Sequence, residues 1–120
     1  MAAGAHRIFD AATRYPYLVA GKDQFDSVAM AAFAGRLMQK GGAEGVQCGA
    51  IRDKGWGYAL KCDDGNMEAS RAMVAALLMA MAEPEAAQAE VLWRWSRQTV
   101  RNVRGREVGV LRAVEGIWGK

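Results

Sequence analysis

With 120 residues, 52% of them hydrophobic, the chain can bury a core over roughly two-thirds of its unfolded surface, which excludes a disordered tail. Its net charge of +3 is uneven: residues 1–90 carry nine Lys/Arg against eleven Asp/Glu, and residues 91–120 carry seven against two, so the basic character is C-terminal. The longest apolar run, Ala72 to Ala82, falls short of the about 20 residues a bilayer needs, no secretory leader opens the sequence, and two cysteines suit a reducing setting, so one cytoplasmic domain without membrane contact is expected.

Ala2 to Arg14 reads as a helix with Ile8, Phe9 and Ala12 on one face. Pro16 disfavours helix at Tyr15 and ends it. Leu18 to Gly21 then forms a short apolar link, with a turn at Gly21. Asp26 is expected as the N-cap of the next helix, because its carboxylate can accept orphan backbone N–H groups. Phe25 and Met30 have the spacing of a hydrophobic staple. Met30, Phe33 and Leu37 continue the helical stripe, Lys40 falls in the last turn, and Gly41 or Gly42 supplies a left-handed cap.

Val46 to Arg52 and Trp56 to Cys62 read as two strands joined by Asp53-Lys54-Gly55, a three-residue hairpin loop with Gly55 left-handed. Pairing Arg52 with Trp56 sets Cys48 opposite Leu60 and Ala50 opposite Tyr58. Cys48 and Cys62 then become diagonal neighbours, and no disulfide is expected. Asp63-Asp64-Gly65-Asn66 is a turn ending in an N-cap at Asn66. Met67 to Ala82 is a helix with Met73, Leu77 and Met81 in one row beside Val74 and Leu78. Glu83-Pro84 restarts a helix with Pro at the first position. That helix carries Val91, Leu92 and Trp95 and frays over Ser96 to Thr99. Glu107 to Val114 is a final strand. The order α-α-β-β-α-α-β implies an α/β chain of the α+β kind, helices packed on a small, mainly antiparallel sheet in a single domain over residues 1–120.

Few residues offer chemistry on their own. One histidine, His6, and two separated cysteines make no converging ligand set, so no metal site is expected from this chain. A serine amidase needs a base beside its hydroxyl, and an S-x-x-K pair on a helix would provide it. Three residues beyond Ser27, Ser70 and Ser96 stand Met30, Met73 and Thr99, so no such pair exists here. Gly41-Gly42-Ala43-Glu44-Gly45 precedes a strand instead of a helix and is no phosphate loop. Trp93 and Trp95 among Arg94, Arg97, Arg101, Arg104 and Arg106 could suggest nucleic acid. Packing tryptophans beside a solvated or intersubunit arginine face is the preferred reading.

Two motifs carry more. Lys40-x-Gly42-Ala43-Glu44-Gly45-Val46-x-Cys48, followed by Gly57-x-Ala59-Leu60-Lys61-x-Asp63-Asp64-Gly65, resembles the C-terminal part of the L-asparaginase II family, its thermolabile, Rhizobium-type branch. Tyr17 to Gly21 with Phe25-Asp26, and Asn102-x-Arg104-Gly105-x-x-Val108-Gly109, resemble segments on either side. The likeness runs from about Tyr15 to Arg112. It implies a fold similar to serine β-lactamases and penicillin-binding proteins, and hydrolysis of L-asparagine to L-aspartate and ammonia. In that family a Ser-Lys pair supplies the nucleophile and a second serine pairs with a lysine, which Lys40 matches. Gly42 and Glu44 are the expected substrate-binding or supporting residues beside it.

A lysine acting as a base needs its pKa lowered from about 10.4 by burial or a neighbouring cation; Lys40 could otherwise hold the substrate carboxylate as a point charge. The resemblance places the S-x-x-K, the second serine and the Cys/Lys ligands of a zinc-type site upstream of this region. The chain is therefore expected to be a C-terminal fragment, inactive alone and without a cofactor of its own, and homo-oligomeric in its full-length form. The alternative is a non-catalytic interaction domain whose exposed apolar face associates.

Overall fold

The computed structural model describes residues 2–116 and 118. Helices α1 (Ala2–Arg14), α2 (Pro16–Ala20) and α3 (Phe25–Phe33) lead into strands β1 (Leu37–Gly42), β2 (Val46–Ile51) and β3 (Trp56–Lys61), with a 3-10 turn at Arg52–Lys54. Helices α4 (Met67–Met81) and α5 (Ala86–Ser96) follow, then strands β4 (Arg97–Arg101) and β5 (Glu107–Arg112). The expected order of helices and strands holds, with α2, β1 and β4 added. β1–β2–β3 form one antiparallel sheet and β4–β5 a second, two-stranded one. Among the described residues no helix is long and apolar enough to cross a membrane.

The largest difference from the sequence reading lies between Phe33 and Gly42. The helix stops at Phe33, where Ala34 (φ 45°) and Gly35 (φ 91°) turn left-handed. A glycine takes that conformation without a Cβ penalty, so Gly35 belongs to the stop signal that Gly41 and Gly42 were expected to give. Leu37, Gln39 and Gly41 then face inward and Met38 and Lys40 outward, as a period of two requires. Leu37 is buried in the core as a strand residue; its helical spacing from Met30 and Phe33 is coincidental. Lys40 stands on an edge strand, not in a last helical turn.

Other boundaries shift for local reasons. The expected link at Leu18 is the short helix α2, with Pro16 at its first position, where a missing N–H costs nothing. Gln24, not Asp26, is the N-cap of α3, because Asp26 turns inward to other partners. The β2–β3 register differs by one residue from that expected: Ile51 pairs with Trp56, Cys48 with Ala59 and Gly49 with Tyr58. The Arg52 turn consumes the residue that would have paired, and Gly55 closes it left-handed at φ 65°. Cys62 lies beyond β3 opposite Gly45, so the two cysteines are not diagonal neighbours, and both are free thiols. Asn66 caps α4 as its side chain predicts, accepting from the Ala69 N–H at 2.9 Å. Pro84 stays outside α5, whose N-cap is Glu85 in a reciprocal box with Gln88. The segment expected to fray after Ser96 is strand β4.

The core joins Phe25, Ala29 and Phe33 of α3 to Leu37, Ile51, Val74, Ala75, Leu78, Ala82 and Leu92. Trp95 packs on it and meets Phe25 edge-on at 5.4 Å. Trp93, also expected to pack, is exposed, with the Arg97 guanidinium over its ring at 4.7 Å. The β4–β5 hairpin turns through Asn102, whose Oδ1 accepts from the Arg104 and Arg106 N–H groups, both at 3.0 Å. It leaves Val100, Val103, Val108 and Val110 exposed.

One ion pair ties the end of the sheet to the helices. Arg36 forks onto Asp53 through Nε and Nη2 at 3.0 and 2.9 Å, and donates to the Ala82 carbonyl and the Gln88 amide. The Arg36 hydrogen bond holds the Asp53 carboxyl below its ordinary value of 3.8. A depressed carboxyl stabilises the fold above its unfolded pKa, and that contribution disappears as pH falls through the folded pKa. In urea titrations, Asp53→Asn is expected to be less stable than the parent by a constant gap above about pH 5, closing in more acid solution. A gap that persists in acid would show that the pair owes nothing to ionisation.

Candidate functional site

The two glycine-rich turns picked out by the sequence touch one another. The β1–β2 turn holds Glu44 (φ 62°) and Gly45 (φ 76°) left-handed. A Cβ on Gly45 would lie 2.9 Å from the Cys62 Cβ and 3.0 Å from the Gly65 carbonyl carbon, so only glycine fits there. The Cys62 N–H donates to the Gly45 carbonyl at 2.9 Å, and the Lys61 ammonium donates to the Glu44 and Cys62 carbonyls. The Asp63-Asp64-Gly65 turn is thus the back support of the Ala43-Glu44-Gly45 turn. Glu44 is held in a conformation that non-glycine residues adopt rarely and that recurs at functional sites.

Behind β1 lies a buried polar network that the sequence reading missed. The Gln39 amide donates to Asp26 Oδ1 at 3.1 Å and to Gln47 Oε1 at 2.7 Å. Gln47 donates in turn to Ser70 Oγ at 3.0 Å, and Ser70 to the Met67 carbonyl at 2.8 Å. The Tyr58 hydroxyl donates to Gln39 Oε1 at 2.5 Å. Asp26 Oδ2 accepts from the Gly41 N–H at 2.7 Å, on the free edge of β1. Gln39, Gln47 and Ser70 are essentially inaccessible to solvent, so their polar groups need these partners. Burial, then the charge of Asp26, pushes the Tyr58 hydroxyl well above its ordinary value, so it remains a donor. The signal was present in the alternation Leu37-Met38-Gln39-Lys40-Gly41, which places Gln39 inward once β1 is read as a strand.

The network fixes the edge strand along a cleft of about 590 Å³. Lys40, Gly42 and Glu44, the three residues expected to matter, all line it, with Asp26, Gln47 and Arg71. Lys40 is exposed, and its ammonium donates to the Gly41 carbonyl. Gly42 pairs with Val46, and a Cβ on it would meet the Val46 Cβ at 3.4 Å.

The three serines are engaged. Ser27 donates to the Pro16 carbonyl at 3.0 Å, Ser70 to Met67, and Ser96 to the Trp93 carbonyl at 2.8 Å. Each hydroxyl satisfies a backbone acceptor instead of facing a base. Cys62 is no better placed as a nucleophile. Its thiol lies 3.1 Å from Asp64 Oδ1, and the hydrogen bond, burial and that charge all push its pKa up. Since the thiolate is the reactive form, Asp64→Asn is expected to speed alkylation of Cys62 by iodoacetamide at pH 8, read by mass spectrometry of the Cys62 peptide. An unchanged rate would remove Asp64 as the cause.

Among the described residues no group of three or more His, Cys, Asp or Glu could hold a metal ion. His6 is exposed on α1. In the basic segment, Arg94 pairs with Glu90 at 2.6 Å and Arg101 with Glu107 at 2.9 Å. A family model described as L-asparaginase II matches residues 1–113. No curated protein matches the chain.

Proposed function

The chain belongs to the L-asparaginase II family, and from that premise we propose that it forms one wall of an amidase site that hydrolyses L-asparagine to L-aspartate and ammonia. Lys40 is the residue that acts there, as the base for a serine or as the charge that holds substrate. Gly42 and Glu44 line the same cleft beside it. The observation that carries this reading is the convergence of Lys40, Gly42 and Glu44 on one cleft, with the two family motifs buttressed against each other.

The nucleophile comes from outside these 120 residues, because Ser27, Ser70 and Ser96 are all bound to backbone carbonyls. The polypeptide that brings it covers the free edge of β1 and makes Lys40 less exposed. On this reading the whole resembles a β-lactamase-like fold, with Lys40 on the strand that borders the site. Ammonia release from L-asparagine tests it, with the chain alone and with a polypeptide joining it to an S-x-x-K segment. Activity only in the joined form, lost on Lys40→Met, supports the reading, and activity of the chain alone overturns the external nucleophile.

A second reading, a non-catalytic interaction domain, is favoured by the exposed valines of the β4–β5 hairpin. Concentration-dependent sedimentation with no ammonia release from the joined form would favour it over the enzyme.

A further inference from the structure

The charged groups around the cleft differ in how far they are already used. Asp26 has both oxygens engaged, by Gln39 and by the Gly41 N–H. Gln47 gives its amide to Ser70 and its carbonyl oxygen to Gln39. Those two hold the strand and have little left for a ligand. Arg71, on the first turns of α4, lines the same cleft and has one hydrogen bond, from Nη1 to Glu68 at 2.9 Å. Among the described residues its Nε and Nη2 have no acceptor. The Glu44 carboxylate has no hydrogen-bond partner among the described residues either, although the Glu44 backbone is fixed by Lys61 and by the turn.

One cation with a planar fork of spare donors and one carboxylate with spare acceptors therefore border a single cleft. A ligand that carries a carboxylate and an ammonium satisfies both. An α-amino acid head group carries both on one carbon, and a guanidinium recognises a carboxylate bidentately.

We propose that Arg71 and Glu44 form the subsite for the zwitterionic head of an α-amino acid, with Arg71 taking the α-carboxylate and Glu44 the α-ammonium. This deepens the asparaginase reading and rests on it. It leaves Lys40 free for the amide end, where hydrolysis takes place, and so separates head-group recognition from chemistry along one edge strand. Arg71 is poised for this by α4, whose N-terminus is fixed by the Asn66 cap and whose next turn is tied to the sheet through Ser70 and Gln47.

The test is binding to the 120-residue chain itself, followed by amide NMR shifts at Gly41 to Gly45 during titration with three probes. L-asparagine carries the whole head group. Succinamate lacks the ammonium, and 3-aminopropanamide lacks the α-carboxylate. Arg71→Gln is expected to weaken L-asparagine and succinamate by about 10- to 100-fold, the range for losing hydrogen bonds to a charged group, while leaving 3-aminopropanamide unchanged. Glu44→Gln is expected to weaken L-asparagine and 3-aminopropanamide but not succinamate. Arg71→Lys keeps the charge without the fork and is expected to fall between parent and Arg71→Gln.

Equal binding of L-asparagine by parent and Arg71→Gln overturns the proposal. So does the absence of any saturable shift with L-asparagine on the folded parent chain. Neither result bears on Lys40, whose role is judged by turnover in the joined form, so the subsite can fail while the amidase reading stands. Retained core methyl shifts at Leu78 and Val74 show that each variant is folded.

Discussion

Gly49→Ala is expected to lower the unfolding free energy by about 3 kcal/mol, at the upper end of what overpacking a core usually costs. A Cβ at this position would lie 2.3 Å from the Tyr58 hydroxyl oxygen, 2.6 Å from its ring carbon Cζ and 2.1 Å from the Met38 carbonyl oxygen. Gly49 pairs with Tyr58 on one side and Gln39 on the other. The tyrosine crosses above the glycine to reach Gln39, so the absent side chain is what lets the network close. Swinging the ring away would break the Tyr58 to Gln39 hydrogen bond, and Gln39 sits in a fully buried site where an unmet polar group is costly. Trimming Tyr58 to alanine relieves only the ring contacts, because the Met38 oxygen belongs to the backbone of the adjacent strand.

The control is Gly57, on the next strand. A Cβ there has its nearest neighbour at 3.7 Å, an ordinary contact. Gly57→Ala is therefore expected to be neutral or to gain about 0.5 kcal/mol by restricting the unfolded chain. Urea unfolding of the two variants side by side measures the contrast. Equal effects would mean that Tyr58 does not lie across Gly49. Against a total stability of about 5–15 kcal/mol for a domain, the expected loss at Gly49 is large enough to leave a sizeable unfolded fraction on warming.

Neither that crossing nor the network beneath it can be read from the residues one at a time. Periodicity found α4 and the β2–β3 hairpin, because those segments are bounded by strong local signals: the Asn66 cap, the Gly55 turn and an unbroken apolar face. It missed β1, because Met30, Phe33 and Leu37 keep helical spacing across the Ala34-Gly35 break, and a helix continued on spacing alone runs straight through it. It missed β4, because the chain passes from α5 into a strand at Arg97 with no glycine or proline to mark the change. Asp26 was legible as a polar residue at a helix start, but its partner at Gly41 lies 15 residues away across an element that had not been recognised. Lys40, Gly42 and Glu44 were found through motif resemblance and brought to one cleft by the fold, although the helical setting given to Lys40 was wrong. Arg71 had no motif at all. Its interest depends on which of the neighbouring charges are already engaged, and that is a property of the folded chain.

Lys40→Met is expected to lower turnover of L-asparagine by about 10²- to 10⁴-fold in a polypeptide that also supplies the S-x-x-K segment, the usual cost of losing a positioned proton-transfer group. The same change is expected to shift stability by no more than about 0.5 kcal/mol, as for a surface substitution. Lys40 is exposed, and its one hydrogen bond is to the neighbouring Gly41 carbonyl. Loss of activity without loss of stability is the signature that separates a reacting lysine from one that merely decorates a strand edge. Lys40→Arg then distinguishes the two chemical roles. An arginine retains the charge at neutral pH and cannot serve as a base. If Lys40 contributes only its charge, Lys40→Arg recovers much of the turnover and the KM carries most of the difference between variants. If Lys40 takes a proton, Lys40→Arg is as slow as Lys40→Met. Parent-like turnover in Lys40→Met would return the residue to a solvated edge position and leave the cleft without its proposed base.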